Sequence, residues 1–330
     1  MFISWVHEYI PTVFFGISAF LNIFFIFLTF SDKSSSLGTY RYLLACFALY
    51  NILFSFVDCA IPIAVFNYGE SSIAFLTDGF FENNLTVGSL MVSIRCAFFG
   101  LGYGILVIHF IYRYYVLFRP RLPFFLSNKM KITISFVFFI SHGVFWVLIC
   151  QTLLRPDEEM YIYNNGPFYE TFKENLTNVP FIGTIFYAEN VSKSLYTRSY
   201  SGLICLTLIS TYAVLSYVFL GYKIMSKLRE HSIISSTTKK RHSQLFRSLV
   251  VQTIIPCFTS FFPTIIGWYS PILKIDLVKA SDIAITMNAA CGIIDPISIL
   301  LLLPNYRRRL FRHKNMPKVA SITENPTFVV

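Results

Sequence analysis

The chain has 330 residues, of which 55% are apolar and only 13% charged, with 36 phenylalanines and a mean hydropathy of +0.60. A soluble domain carries about 25% charged residues, so these figures exclude a water-soluble globule and, equally, a disordered chain. The net charge of +10 does not point to nucleic acid, because the basic residues sit in short segments between apolar runs.

The apolar runs predict an all-α bundle of seven transmembrane helices. Each is long enough to cross about 30 Å of hydrocarbon. Lipid offers the backbone no partner, which requires helices, and the short alternating segments of a β-barrel are missing. The first run, 10–30, contains Asn22. It has no Lys or Arg before it and no small-residue cleavage site after it, so it reads as a signal anchor. The second, 40–66, contains Asn51 and Asp58, and the sequon Asn84-Leu85-Thr86 follows. The third, 91–118, carries Arg95, Phe99 and Tyr103, then His109, Tyr112 and Arg113 near its other end. The fourth is 132–154. A long connection, 155–199, holds sequons at Asn175 and Asn190. The fifth run is 200–225, and the Ser- and Thr-rich connection 226–247 leads to the sixth, 248–269, with Pro256, Pro263 and Trp268. The seventh, 283–303, contains Asp295-Pro296, and a basic tail, 304–330, completes a single seven-span domain, 1–330. No internal repeat of the transporter kind is present.

Charge sets the expected orientation. With the N-terminus outside, the inner segments hold 19 Lys and Arg and the outer ones 6. This is the bias expected of cytoplasmic loops. All three sequons then fall outside, where glycosylation at Asn84, Asn175 and Asn190 is possible. The tail segment 306–314 suits a surface helix on anionic lipid with Leu310 and Phe311 inserted, or a stop-transfer cluster of charge. Membrane lipids are thus expected partners.

Charged residues inside spans cost about 2.5–3.5 kcal/mol each and need a reason. Asp58 and Arg95 lie in the outer parts of spans two and three; they form either a structural pair or the polar floor of a ligand pocket. His109 and Arg113 share a helix face. Arg113 either holds the inner helix ends together and meets a G protein when they open, or snorkels among tyrosines. Asp295, Asn22 and Asn51 either form a network joining spans one, two and seven or are paired locally. Pro256 and Pro263 kink span six and give it a hinge. The outer-half aromatics Phe99, Tyr103 and Trp268 line an apolar pocket or pack against neighbours.

No catalytic constellation is found. The contexts of Asp58 and Asp295 do not match an intramembrane aspartyl protease. His109 and His142 are isolated, so no zinc site is expected, and the seven cysteines lack metal-ligand spacing. Span seven has no lysine to hold retinal, and there is no phosphate-binding loop. No metal or cofactor is expected, and the chain is not read as an enzyme.

Several stretches carry a family resemblance. These are Tyr40-Arg41-Tyr42-Leu43-Leu44, Ile108-His109-Phe110-Ile111-Tyr112-Arg113-Tyr114, and Gln244-Leu245-Phe246-Arg247 with Val250 through Pro256. To them are added Phe262-Pro263 through Trp268-Tyr269-Ser270-Pro271, and Asp295-Pro296 leading to Leu303-Pro304. In this order they resemble the nematode seven-transmembrane chemoreceptors of the Str superfamily, most of all the srj and str subfamilies. The resemblance implies a G-protein-coupled receptor for a small environmental chemical, an odorant or tastant, that acts through a heterotrimeric G protein. It also implies the plasma membrane of sensory-neuron cilia. Compared with rhodopsin-like receptors, Arg113 has no acidic residue before it, Ile299 stands where a tyrosine would follow Asp295-Pro296, and the connection 155–199 has no cysteine to tie it to span three. The rival is a ligand-gated channel or carrier; an insect-type olfactory channel would put the N-terminus inside, against charge and sequons.

Overall fold

A computed structural model describes residues 5–31, 40–118, 128–188, 191–229, 236–273, 280–303 and 306–307. The glycosylation site expected at Asn190 lies outside the described residues, and of the expected tail helix at 306–314 only Tyr306 and Arg307 are described.

Helices α1 (Trp5–Ser31) and α2 (Tyr40–Ala60) lead into a hairpin of β1 (Ile63–Tyr68) and β2 (Ser71–Leu76). Helices α3 (Leu85–Phe118) and α4 (Asn128–Leu153) follow, then a short helix α5 (Glu158–Phe172) and strand β3 (Phe181–Ile185). The chain continues through α6 (Lys193–Arg229), α7 (Ser236–Pro256), a π-helical turn Cys257–Phe261, α8 (Phe262–Leu273) and α9 (Ala280–Leu302). The turn joins α7 and α8 into one rod. Six helices are long and apolar enough to cross a membrane, and α9 adds a shorter apolar stretch, Thr286–Leu302. The expected seven-helix bundle is therefore present.

Helix α3 is the hub, packing against α2, α4, α6, α7, β2 and β3, while α1 packs on α2 and α9. The outward faces are apolar: Ile132 and Phe136 on α4 are 70% and 62% exposed. Such a continuous apolar surface suits lipid, not water.

The bundle carries a cap that the run of apolar residues concealed. The stretch 40–66 is helical only to Ala60, and 63–68 is a strand. Pro62 lacks the N–H that would continue the helix, and a short apolar run fits a buried strand as well as a helix. The register pairs Tyr68 with Ser71, leaving a two-residue loop, Gly69-Glu70. Gly69 sits at φ +52 with the Tyr163 ring against it, so the first loop position needs glycine. Strand β3 extends the sheet by pairing antiparallel with β2.

Helix α5 covers the sheet. Phe66, Phe75, Phe168 and Phe172 interlock with ring centroids 4.8–5.7 Å apart, joined by Met160, Leu176 and Phe181. Tyr161 packs on Phe181, and burial pushes its phenol above the ordinary value. The long connection is tied to the bundle without a disulfide, all seven cysteines being free. Ser89 on α3 donates to the Phe181 carbonyl (3.1 Å), the Gly183 N–H donates to Leu154 O (2.9 Å), and the Ile185 N–H donates to Ser199 on α6 (3.1 Å).

Two prolines shape how the helices meet. A proline leaves the carbonyl four residues earlier without its helical partner. Pro271 does this to Gly267, whose oxygen instead accepts from Ser270, Asn67 and Ser72. Asn67 also donates to Ser270 Oγ at 2.8 Å. The hairpin is thereby docked on α8. Pro296 does the same to Gly292 on α9. On the sixth rod Pro256 precedes the π turn, in which Phe262 N–H bonds Cys257 O. A π turn is a common place for a helix to bend.

Candidate functional site

The helical period puts residues i, i+3, i+4 and i+7 on one face. On α2 this aligns Phe47, Tyr50, Asn51 and Phe54, and on α3 it aligns Phe99, Gly102, Tyr103 and Leu106. These two faces meet Tyr217 of α6, Phe261 of the π turn, and Cys291 and Asp295 of α9. Together they line a cavity in the bundle. About 40 Å³ is open to the centres of water-sized molecules. About 10–15 Å³ by that measure holds one water, so the space takes a small molecule of a few heavy atoms.

The wall is aromatic with few polar groups. The Tyr50 hydroxyl donates to Phe98 O (2.8 Å) and the Tyr217 hydroxyl to Tyr103 O (3.0 Å). Ser260 donates to Asn288 Oδ1 at 2.6 Å. Asp295 is 1% exposed, and its buried carboxyl faces the Asn51 amide with no ion-pair partner among the described residues. Of the outer residues expected at a pocket, Phe99 and Tyr103 are on the wall. Asp58, Arg95 and Trp268 are beside it. Arg95 is buried, bonded to Asp58 in an ion pair between α3 and α2, and capped by the Phe54 and Phe99 rings at 4.9 and 5.6 Å. Trp268 packs against the cluster around Trp146 and Ile182.

Spans one, two and seven, expected either to share a network of Asp295, Asn22 and Asn51 or to carry local pairs, meet at the Gly292 carbonyl. The Gly292 carbonyl, orphaned by Pro296, accepts from Ser18 Oγ (3.1 Å) and Asn22 Nδ2 (2.9 Å). Asn51 Nδ2 donates to Asn22 Oδ1 at 3.5 Å, and Ser55 donates to Ser18 at 2.9 Å. A Cβ at Gly292 would lie 2.5 Å from Ser55 Oγ and 2.7 Å from Ser18 Oγ. Gly292→Ala should therefore force the three helices apart at a cost of about 1–3 kcal/mol. A fall in the melting temperature of the detergent-solubilised chain measures it, and an unchanged value contradicts the close approach.

The opposite end of the bundle from the sheet is basic, and Arg113 is buried near it. Its guanidinium carbon stands 3.4 Å from the centre of the Tyr40 ring, and Nε and Nη2 have no hydrogen-bond partner. The Tyr40 hydroxyl meets His109 Nδ1 at 3.4 Å, and Tyr40 stacks on Tyr112 with centroids 5.8 Å apart. His109 also packs edge-on against Phe47. A tyrosine face thus stands where an acidic partner is missing. Tyr40 stands in the sequence only as the first residue of the stretch 40–44, and its place at the start of α2 gives no signal of the contact. Nor does the sequence mark Ser248 and Gln252 on α7, buried polar side chains without hydrogen-bond partners among the described residues.

Of the glycosylation candidates, Asn84 and Asn175 are exposed at the sheet end. Asn84 Oδ1 accepts from Val87 N–H at 3.1 Å and caps α3. Its Nδ2 stays available.

Comparison with known proteins gives one consistent answer. The family model described as serpentine type 7TM GPCR chemoreceptor Srj matches residues 1–310. Serpentine receptor class J-38 of Caenorhabditis elegans is 30% identical over 309 residues, 93% of each chain. Serpentine receptor class r-10 of the same organism is 23% identical, covering 84% of this chain and 82% of the relative. The G-protein coupled receptor str-217 of C. elegans is 23% identical over 89% and 86% of the two chains. Among solved structures, squid rhodopsin superposes with a TM-score of 0.53 at 14% identity, over 93% of this chain and 83% of that one. That likeness concerns the fold alone.

Proposed function

We propose, from the premise that this chain belongs to the Srj family of serpentine seven-transmembrane chemoreceptors, that it detects a small environmental chemical and signals through a heterotrimeric G protein. The observation that carries the reading is the aromatic cavity between α2, α3, α6, the sixth rod and α9. It lies inside a bundle capped by a sheet at one end, with a buried arginine near the other. The chemical binds better to the state in which the basic ends of α3, α6 and α7 are spread, and shifts the population by that difference in affinity. The π turn after Pro256 is the place where the sixth rod bends on activation. Asn22, Asn51, Asp295 and Pro296 couple α1, α2 and α9, and His109, Tyr112 and Arg113 stand at the G-protein side.

Cells expressing the chain should give a calcium response to a member of a panel of volatile and water-soluble chemicals, and removing G proteins should abolish it. A response that survives without any G protein and follows ion flux points to a channel. Arg113→Ala should abolish coupling while ligand-induced thermal stabilisation persists. Tyr40→Leu removes a cation–π contact worth about 0.5–2 kcal/mol, so basal signalling should rise roughly 2- to 30-fold, and Tyr40→Phe should not raise it. Equal basal signalling in both Tyr40 variants argues against the restraint.

The basic end faces the cytosol in this reading, and the sheet end, with the N-terminus, faces outward in the plasma membrane of a sensory-neuron cilium. Thr86→Ala and Thr177→Ala each destroy a sequon while keeping the asparagine and, at Asn84, the cap. Each should remove one endoglycosidase-sensitive step in gel mobility. An epitope at Met1 that antibodies reach only in permeabilised cells would reverse the orientation.

A further inference from the structure

We propose that the central cavity is built for a small organic ammonium ion, with Asp295 as its counter-ion. The inference rests on the reading of that cavity as the ligand site and names its ligand class.

Asp295 is 1% exposed and stands on the cavity wall, where its carboxyl faces the neutral Asn51 amide and has no ion-pair partner among the described residues. The other buried charges discussed above have company: Asp58 holds Arg95, and Arg113 lies on the Tyr40 ring. Among the described residues no Lys, Arg or His lines the cavity. A carboxyl buried without a counter-ion avoids the cost of its charge by holding a proton, whereas a cation entering the cavity lets it ionise and pairs with it. A neutral ligand brings no charge to pair with that carboxyl, and an anion finds no cation among the described lining residues.

The wall decides between kinds of cation. A bare metal ion wants about six or more oxygen ligands. This wall is mostly carbon, and among the described residues no group of three or more His, Cys, Asp or Glu could hold a metal. The rings of Tyr50, Tyr103, Tyr217 and Phe261 line it instead, and aromatic rings attract an alkylammonium and shelter its methyl groups. The free space fits a cation of trimethylammonium or isobutylammonium size.

The test uses the full chain in lipid nanodiscs. Melting temperature is followed with trimethylammonium and isobutylammonium chloride, against isobutanol and sodium chloride, at equal millimolar concentrations. The ammonium salts should stabilise the wild type while isobutanol and sodium chloride do not. Asp295→Asn should weaken the ammonium effect about thirtyfold or more, and Asp295→Glu should retain part of it. Val214 of α6 also lines the cavity, and Val214→Trp, which fills it and leaves Asp295 in place, should abolish the effect and covers the case in which the asparagine variant does not fold. Equal ammonium stabilisation of the asparagine variant overturns the proposal. So does an equal effect of sodium chloride, or no effect of either ammonium salt. If isobutanol stabilises the wild type and Val214→Trp removes that, the cavity remains the ligand site and the ammonium class falls. If stabilisation by any probe persists in Val214→Trp, the probe binds elsewhere and both readings fall.

Discussion

Asp58→Ala should destabilise the folded chain by about 3–5 kcal/mol, because it strands a buried cation. Arg95 is 2% exposed, and Asp58 is the acceptor of its guanidinium. Its Nε and Nη1 have no other hydrogen-bond partner. Without Asp58 the charge keeps only the faces of Phe54 and Phe99, and cation–π contacts of about 0.5–2 kcal/mol fall short of the burial cost. Arg95→Leu should be milder, since a lone buried carboxyl can take up a proton while a guanidinium cannot lose one. The expected order in melting temperature and surface expression is wild type, then Arg95→Leu, then Asp58→Ala. The double exchange of the two residues should recover only part of the loss, because an arginine at position 58 leaves the two-ring cage. A melting temperature for Asp58→Ala equal to that of the wild type would show that the pair does not hold α2 to α3.

Phe168→Ala should cost about 3–5 kcal/mol, and the loss should fall on the cap. Phe168 is fully buried on the inner face of α5, with Phe66, Phe75 and Phe172 around it at 5.6, 5.0 and 4.8 Å. Those rings join both strands of the hairpin to the helix that covers it. Hydrogen exchange in the amides of β1, β2 and β3 should rise steeply, while α3 and α6 keep their protection. Export should fall as well, because β3 anchors the long connection to α3 and α6 through Ser89 and Ser199. Strand amides that exchange as slowly as in the wild type would refute an aromatic core for the cap.

The bundle was readable because hydrocarbon leaves the backbone no alternative to the helix, so each apolar stretch of sufficient length could be assigned on its own. The prolines were readable for the same reason. Each removes a known N–H from a known carbonyl, and Ser18 and Asn22 answer the one that Pro296 leaves. Helical spacing already placed His109 and Arg113 on one face. The hairpin was hidden, because Ile63 to Phe66 are apolar in a helix and in a strand alike, and only pairing with β2 chooses between them.

Charge partners belong to the tertiary structure. Asp58 and Arg95 are 37 positions apart, and the sequence left open whether they meet each other or a ligand. Packing brings them into contact, and it also sets the Tyr40 ring against Arg113 and leaves Asp295 facing the cavity. Local periodicity decides which face of a helix a residue occupies. Which face it meets depends on how the helices turn about their axes, and that is fixed by contacts between residues distant in the chain.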